Sequence, residues 1–161
     1  MAKQTIPPAG KPRKAVRSPR TQAQFEAYAA LLKAAEDLQR GFAELLKKGH
    51  LSPAQYNVLR ILRGAGPEGL ACGEVGAKLI RHDPDITRLL DRLEHRGLVA
   101  RTREARDRRV VRTRLTDKGA ALLAEFDAPV DALHEKQFGH LDERQLRELK
   151  SVLEAAVART G

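Results

Sequence analysis

From Thr21 onward, Phe25, Tyr28, Leu32, Ala35, Leu38, Phe42 and Leu45 recur every three or four residues. That spacing sets them on one face of a long helix, which Gly49 stops just after Lys47 and Lys48. The next stretch, LSPAQYNVLRIL, predicts a second helix whose start is well marked. Ser52 can cap it, Pro53 suits the first helical position, Gln55 can close a capping box, and Leu51 and Tyr56 can pack as a hydrophobic staple. Val58, Leu59 and Leu62 then face inward until GAGPEG ends the element.

CGEVGAKLIRHDPDITRLLDRLEHRG predicts two further helices, Glu74 to about Ile80 and Pro84 to about His95, joined by Arg81-His82-Asp83. Asp83 is read as the cap of the second and Pro84 as its first residue. Ile86, Leu89, Leu90 and Leu93 form the stripe of a core-facing side. Two helices so joined read as a helix-turn-helix. After Gly97, LVARTRE and DRRVVRTRL alternate apolar and charged positions around a turn near Ala105, which predicts a β-hairpin. Thr116 caps a helix over TDKGAALLAEF. Asp142, with Gln145 as box partner and Leu141 and Leu146 as staple, starts a last helix with Leu149, Val152, Leu153 and Val157 on its apolar face. The fold expected is mostly α with a small β-wing: a winged helix-turn-helix flanked by N- and C-terminal helices.

Composition changes this picture little, and charge changes it more. With 161 residues the chain is long enough for one domain with a sizeable core, and its 4% aromatic content leaves that core to aliphatic residues. No apolar run approaches the ~18 residues of a membrane span, and no secretory signal is visible. The single cysteine, Cys72, cannot form an internal disulfide, so a cytoplasmic location and a structural thiol are expected. The net charge of +9 is unevenly placed: residues 1–20 carry +6, residues 81–114 carry +5, and residues 115–161 carry −3. The first 20 residues also hold four of the eight prolines and read as a flexible basic arm, more simply a solvated tail than a DNA contact. Charge concentrated in one tail and one central segment points to a polyanion.

A helix-turn-helix presents one helix to the ~12 Å major groove of duplex DNA. Opposite the leucine stripe stand Asp85, Arg88 and Arg92, with Thr87 on the flank. Arginine can pair with guanine, threonine can meet a thymine methyl, and aspartate can accept from cytosine. Simpler roles exist for two of them: Asp85 suits a helix N-terminus, and Arg92 can pair with Asp91. In the hairpin, ARDRRVVRTRL places five arginines and one aspartate in 11 residues. The valines and Leu115 would pin the second strand to the core while arginines occupy its exposed side and the tip. A tip arginine can enter the negative minor groove, and Asp107 can hold the turn or orient a neighbouring arginine.

LSPAQYNVLRIL, DITRLLDRLEHRGLVART and DRRVVRTRLTDKG, together with the long flanking helices, resemble the MarR family of bacterial transcriptional regulators over about residues 21–160. The resemblance implies a homodimer whose N- and C-terminal helices interdigitate. It implies a pseudo-palindromic duplex site straddled by recognition helix and wing, and commonly repression relieved by a small aromatic or phenolic effector. It assigns Thr87 and Arg88 as the groove-facing pair and Asp107 and Arg109 as the wing's Asp and Arg, with Arg109 as the minor-groove residue; Arg106 and Arg108 are the other wing arginines that the hairpin reading offers to DNA. The expected organisation is an arm at 1–20, a dimerisation helix at 21–50, the DNA-binding domain at 51–115 and C-terminal dimerisation helices at 116–161. The sequence departs from the family in having Pro84 and Asp85 where small Ser or Thr residues are usual, and Asp85 would repel phosphate.

His50, His82, His95, His134 and His140 show no metal-ligand spacing, and no P-loop, GxGxxG or GxSxG occurs, so neither metal, cofactor nor enzyme activity is expected. Two rival functions remain at this point: a non-specific architectural DNA-binding protein using phosphate contacts alone, and a winged-helix module whose arginines meet an acidic protein.

Overall fold

The computed structural model describes residues 18–80, 85–103 and 110–158. It divides at Asp37/Leu38 into two units. The first comprises the opening turns of helix α1 (Pro19–Leu46). Ser18, not Thr21, begins that helix, its hydroxyl accepting the Thr21 N–H at 3.2 Å with Pro19 at the first helical position. Phe25, Tyr28, Leu31 and Leu32 are all exposed on this unit.

The second unit begins within α1 and continues through α2 (Pro53–Ala65), β1 (Leu70–Ala71), α3 (Cys72–Lys78), α4 (Ile86–His95), β2 (Val99–Arg103), β3 (Val111–Leu115), α5 (Asp117–Ala124), α6 (Asp127–Phe138) and α7 (Glu143–Val157). Its core gathers Leu46 of α1, Val58, Leu59 and Leu62 of α2, Val75 of α3, Leu89, Leu90 and Leu93 of α4, and Leu123 of α5. Phe42, Tyr56 and Phe126 stack edge to face at 5.2 and 6.1 Å, fastening α1, α2 and the start of α6 together.

The local start signals act as read. Ser52 accepts the Gln55 N–H at 3.2 Å while the Gln55 carboxamide accepts the Ser52 N–H at 2.9 Å. Asp142 and Gln145 repeat the arrangement at 2.8 and 2.9 Å. Other boundaries differ from expectation. The chain reverses after α1 at His50, which takes the left-handed conformation (φ 51°); Gly49 is small because Phe126 lies where its Cβ would stand. Helix α3 starts two residues early because the Glu74 carboxylate accepts the Ala71 N–H at 2.7 Å. Asp85 caps α4, accepting the Arg88 N–H at 3.4 Å; Asp83 and Pro84, read as cap and first residue, lie outside the described residues. The chain between Phe126 and Gly139 forms a helix of its own, α6, with Pro129 tolerated in its first turn.

Strands β2 and β3 form the expected antiparallel pair, Val99 opposite Leu115 and Arg103 opposite Val111. The sheet gains an unanticipated third member, β1, which pairs Leu70 with Thr113 and puts β3 in the centre. Gly119 at the start of α5 lies against this layer so closely that an added Cβ would come 2.1 Å from the Leu98 carbonyl oxygen. Among the described residues the fold is mainly helical with this small sheet, and no helix is long and apolar enough to cross a membrane.

Candidate nucleic-acid interface

Leu89, Leu90 and Leu93 are at most 2% exposed, which fixes which side of α4 faces out. Thr87, Arg88, Asp91, Arg92 and His95 are exposed on the remaining surface. Asp85 has a second role besides capping: its carboxylate lies 3.2 Å from the Arg88 Nε. Thr87 Oγ1 sits 3.9 Å from the Cys72 thiol at the start of α3, so the two halves of the helix-turn-helix touch at a residue read as groove-facing.

Asp91 does not need Arg92 as its partner. Its carboxylate pairs with Arg101 of β2, and the same guanidinium donates from Nε to the Glu94 carboxylate at 2.7 Å. The Arg101 backbone N–H donates to the other Glu94 oxygen at 3.1 Å. Hydrogen bonding to Glu94, and secondarily to Asp91, holds the guanidinium pKa above its ordinary value despite partial burial. Helix α4 is therefore locked to the first strand of the hairpin. At the other end, Arg96 donates to the carbonyls of His50 (2.7 Å) and Gly49 (2.9 Å), tying α4 to the end of α1. Lys118 of α5 donates to the Arg96 carbonyl at 2.8 Å, and the Thr116 hydroxyl, which caps α5, donates to the Gly97 carbonyl at 2.7 Å.

The exposed-side arginines of β3 prove to be structural. Arg114 donates from Nε to the Pro67 carbonyl and from Nη1 to the Thr102 hydroxyl, both at 2.7 Å. Arg112 donates to the Gly69 carbonyl at 3.4 Å and lies 3.5 Å from Glu74. Both brace the turn leading into β1. On the opposite face of the strand, Thr113 is the fully buried residue, between half-buried Val111 and Leu115. Its hydroxyl meets no hydrogen-bond partner among the described residues. Arg106, Asp107, Arg108 and Arg109 lie outside the described residues.

A cavity of about 230 Å³ opens between the end of α1, α2 and the segment after α3. Phe42, Tyr56, Leu79 and Ile80 line its apolar part, and Gln39, Asn57 and Arg60 supply its polar groups. Burial raises the Tyr56 phenol pKa, so that hydroxyl stays protonated. Sequence reasoning did not find this pocket, because its lining comes from three separated segments. No group of three or more His, Cys, Asp or Glu among the described residues could hold a metal ion.

The fold can be set beside known proteins. The MarR family model matches residues 51–111. The HTH-type transcriptional regulator TtmR of Methylorubrum extorquens is 36% identical over 134 residues, covering 82% of this chain and 68% of that protein. A solved MarR transcription factor from Planctomyces limnophilus is 44% identical, with a TM-score of 0.64, over 81% of this chain and 94% of that one. The chain belongs to the MarR family. The HTH-type transcriptional repressor MdtR of Bacillus subtilis, 31% identical over 69% of this chain and 70% of its own length, agrees. This MarR-family chain is accordingly a winged helix-turn-helix transcriptional regulator, a reading favoured over an architectural DNA-binding protein or a protein-interaction module.

Proposed function

We propose that the protein acts as a homodimer on a pseudo-palindromic duplex site, as a repressor released by a small aromatic or phenolic effector. The carrying observation is the exposed face of α4. Arg88 and Arg92 stand on a helix whose other side is fixed in the core, so its exposed face can enter a major groove without loss of packing. In this reading Asp85, Thr87, Arg88 and Arg92 belong to the groove surface, with Asp85 chiefly orienting Arg88. Arg106, Asp107, Arg108 and Arg109 form the wing, and Arg109 enters the minor groove. Residues 51–115 are the DNA-binding part; 21–50 and 116–161 build the dimer, and the protein works in the cytoplasm. The exposed apolar residues of α1 (Phe25, Tyr28, Leu31, Leu32) and of α7 (Leu149, Val152, Val157) support a second copy as their cover. The α1–α2 cavity supports an effector with a flat ring against Phe42 and Tyr56 and an anionic or hydroxyl group at Arg60.

Selection of bound sequences from a random duplex pool tests this directly. An inverted repeat with half-sites about 34–36 Å apart is the expected result. Binding without sequence enrichment would overturn it in favour of architectural binding, and a monomeric mass at micromolar concentration would remove the dimer. For the effector, a panel of benzoates and phenols should raise the melting temperature of the protein but not of Arg60→Ala.

A further inference from the structure

Arg88, Arg92 and His95 are spaced four and three residues apart, so all three lie on one exposed face of α4. With a rise of about 1.5 Å per residue, Arg92 and His95 stand about 6 and 10 Å behind Arg88 along the axis. A helix that enters the ~8.5 Å deep major groove end-on therefore brings His95 to the level of the phosphate ridge. At that level the surface is a groove rather than a flat helix face: Asp91, Arg92, His95 and Arg96 line one side, and His50 and Gln55 the other.

We propose that this groove seats a backbone phosphate of the bound duplex, and that protonation of His50 and His95 strengthens DNA binding as pH falls. The proposal rests on the DNA-binding reading above and adds a regulation to it. The charges around the two imidazoles favour this. Arg92 is exposed, and Arg96 is held in place by the Gly49 and His50 carbonyls. The acid in the groove, Asp91, is engaged together with Glu94 by Arg101. From the end of α1 come exposed Lys48 and Lys47, the latter paired with Glu44; α2 offers only uncharged Ser52 and Gln55 at its start, and α5 contributes Lys118. With neutral imidazoles the groove proper carries two arginines and one aspartate; with both protonated its net charge goes from +1 to +3. An imidazole changes charge between pH 5 and 8, and a bound phosphate stabilises its protonated form more than the neutral one, which keeps a single N–H donor and no charge. Protons are therefore taken up on binding, and affinity rises as pH falls. A rise of one unit in an imidazole pKa on binding corresponds to up to about tenfold in affinity.

The test is fluorescence anisotropy with a labelled random-sequence duplex, since a phosphate contact is blind to sequence. Wild-type protein should bind about tenfold tighter at pH 6.0 than at pH 7.5, a window in which carboxylates stay ionised. The steepness of the salt dependence should increase over the same window. The His50→Asn/His95→Gln variant should lose most of that gain; Asn is chosen because it tolerates the left-handed backbone at position 50. His95→Gln alone, which leaves that backbone untouched, should lose part of it. The control His134→Gln/His140→Gln should keep all of it. Duplex binding that is independent of pH in the wild type, or a pH response that survives in the double variant, overturns the phosphate groove and leaves the DNA-binding reading standing. No duplex binding at any pH overturns both.

Discussion

On α4, Arg88 and Arg92 project from the surface, and the Arg88 side chain is 79% exposed with Asp85 beside it. On the sheet, Arg101 is only 24% exposed and Arg114 is half-buried, and both reach back into the protein to carboxylates, carbonyls and a hydroxyl. The residue type is the same, and the available acceptors differ. A helix satisfies its own carbonyls, so an arginine on its outer face spends few donors on the protein, as Arg88 spends its Nε on Asp85, and offers the rest to an external anion. The sheet lies beside turns whose carbonyls at Pro67 and Gly69 need donors, and beside the acidic flank of α4, so its arginines are occupied before any ligand arrives. An arginine-rich stretch is thus two populations, one exposing charge and one fixing the geometry that presents it.

The sharpest way to break this distinction is Arg101→Met. It removes a cation from two carboxylates 10 and 7 residues earlier in the chain and leaves only the backbone N–H of residue 101 to bind Glu94 of α4. A loss of about 2 kcal/mol in unfolding free energy is expected, from hydrogen bonds between charged groups in a partly buried site. The urea midpoint should fall at unchanged m-value; a midpoint equal to wild type would show the lock to be ornamental. Arg88→Ala should do the reverse. Affinity for a selected site should drop about tenfold, or about 1.4 kcal/mol, while stability stays within about 0.5 kcal/mol of wild type. A variant that loses stability instead would place Arg88 with the structural arginines.

Only one side of this comparison was legible in the sequence. The exposed face of α4 follows from periodicity, because a leucine stripe and the residues opposite it are separated by local geometry alone. The same holds for the capping boxes at Ser52 and Asp142, which close within three residues. What was missed depends on partners brought near by folding. The carbonyl acceptors of Arg112 and Arg114 lie 43 and 47 residues away, and β1 is two residues long and exists only through its pairing with β3. Helix α6 was hidden because Phe126 at its start offers no side-chain cap. Asp85 carried two readings, a base contact and a residue suited to a helix N-terminus, and its hydrogen bond to the Arg88 N–H supplies the second. The cavity and the His50–His95 groove share this character, each assembled from separated segments.

Arg114→Ala sharpens the comparison at lower amplitude. It frees the Pro67 carbonyl and the Thr102 hydroxyl, both able to turn to water, so about 1 kcal/mol is expected from the same urea titration. A wild-type midpoint would mean that strand pairing alone holds the β1 turn.

The smallest effect belongs to an arginine that is occupied yet still wet. Arg63 of α2 donates to both oxygens of Asp127 at the start of α6, at 3.0 and 2.9 Å, with the two side chains 42% and 48% exposed. Hydrogen bonding to Arg63 holds the Asp127 carboxyl below its ordinary pKa, outweighing the opposing effect of burial. A carboxylate with a depressed folded-state pKa stabilises the protein above its unfolded pKa of about 3.9, and that contribution disappears as pH falls through the lower folded value. Water screens so exposed a pair, so the gain is slight. Arg63→Gln should therefore leave the melting temperature at pH 7 nearly unchanged, slightly below wild type, and the gap should close as the pH drops below 4. A gap that widens in acid would mean that Arg63 acts through something other than the Asp127 carboxylate. A deficit at pH 7 as large as that of Arg101→Met would show that engagement alone, and not burial with it, decides what an arginine contributes to this fold.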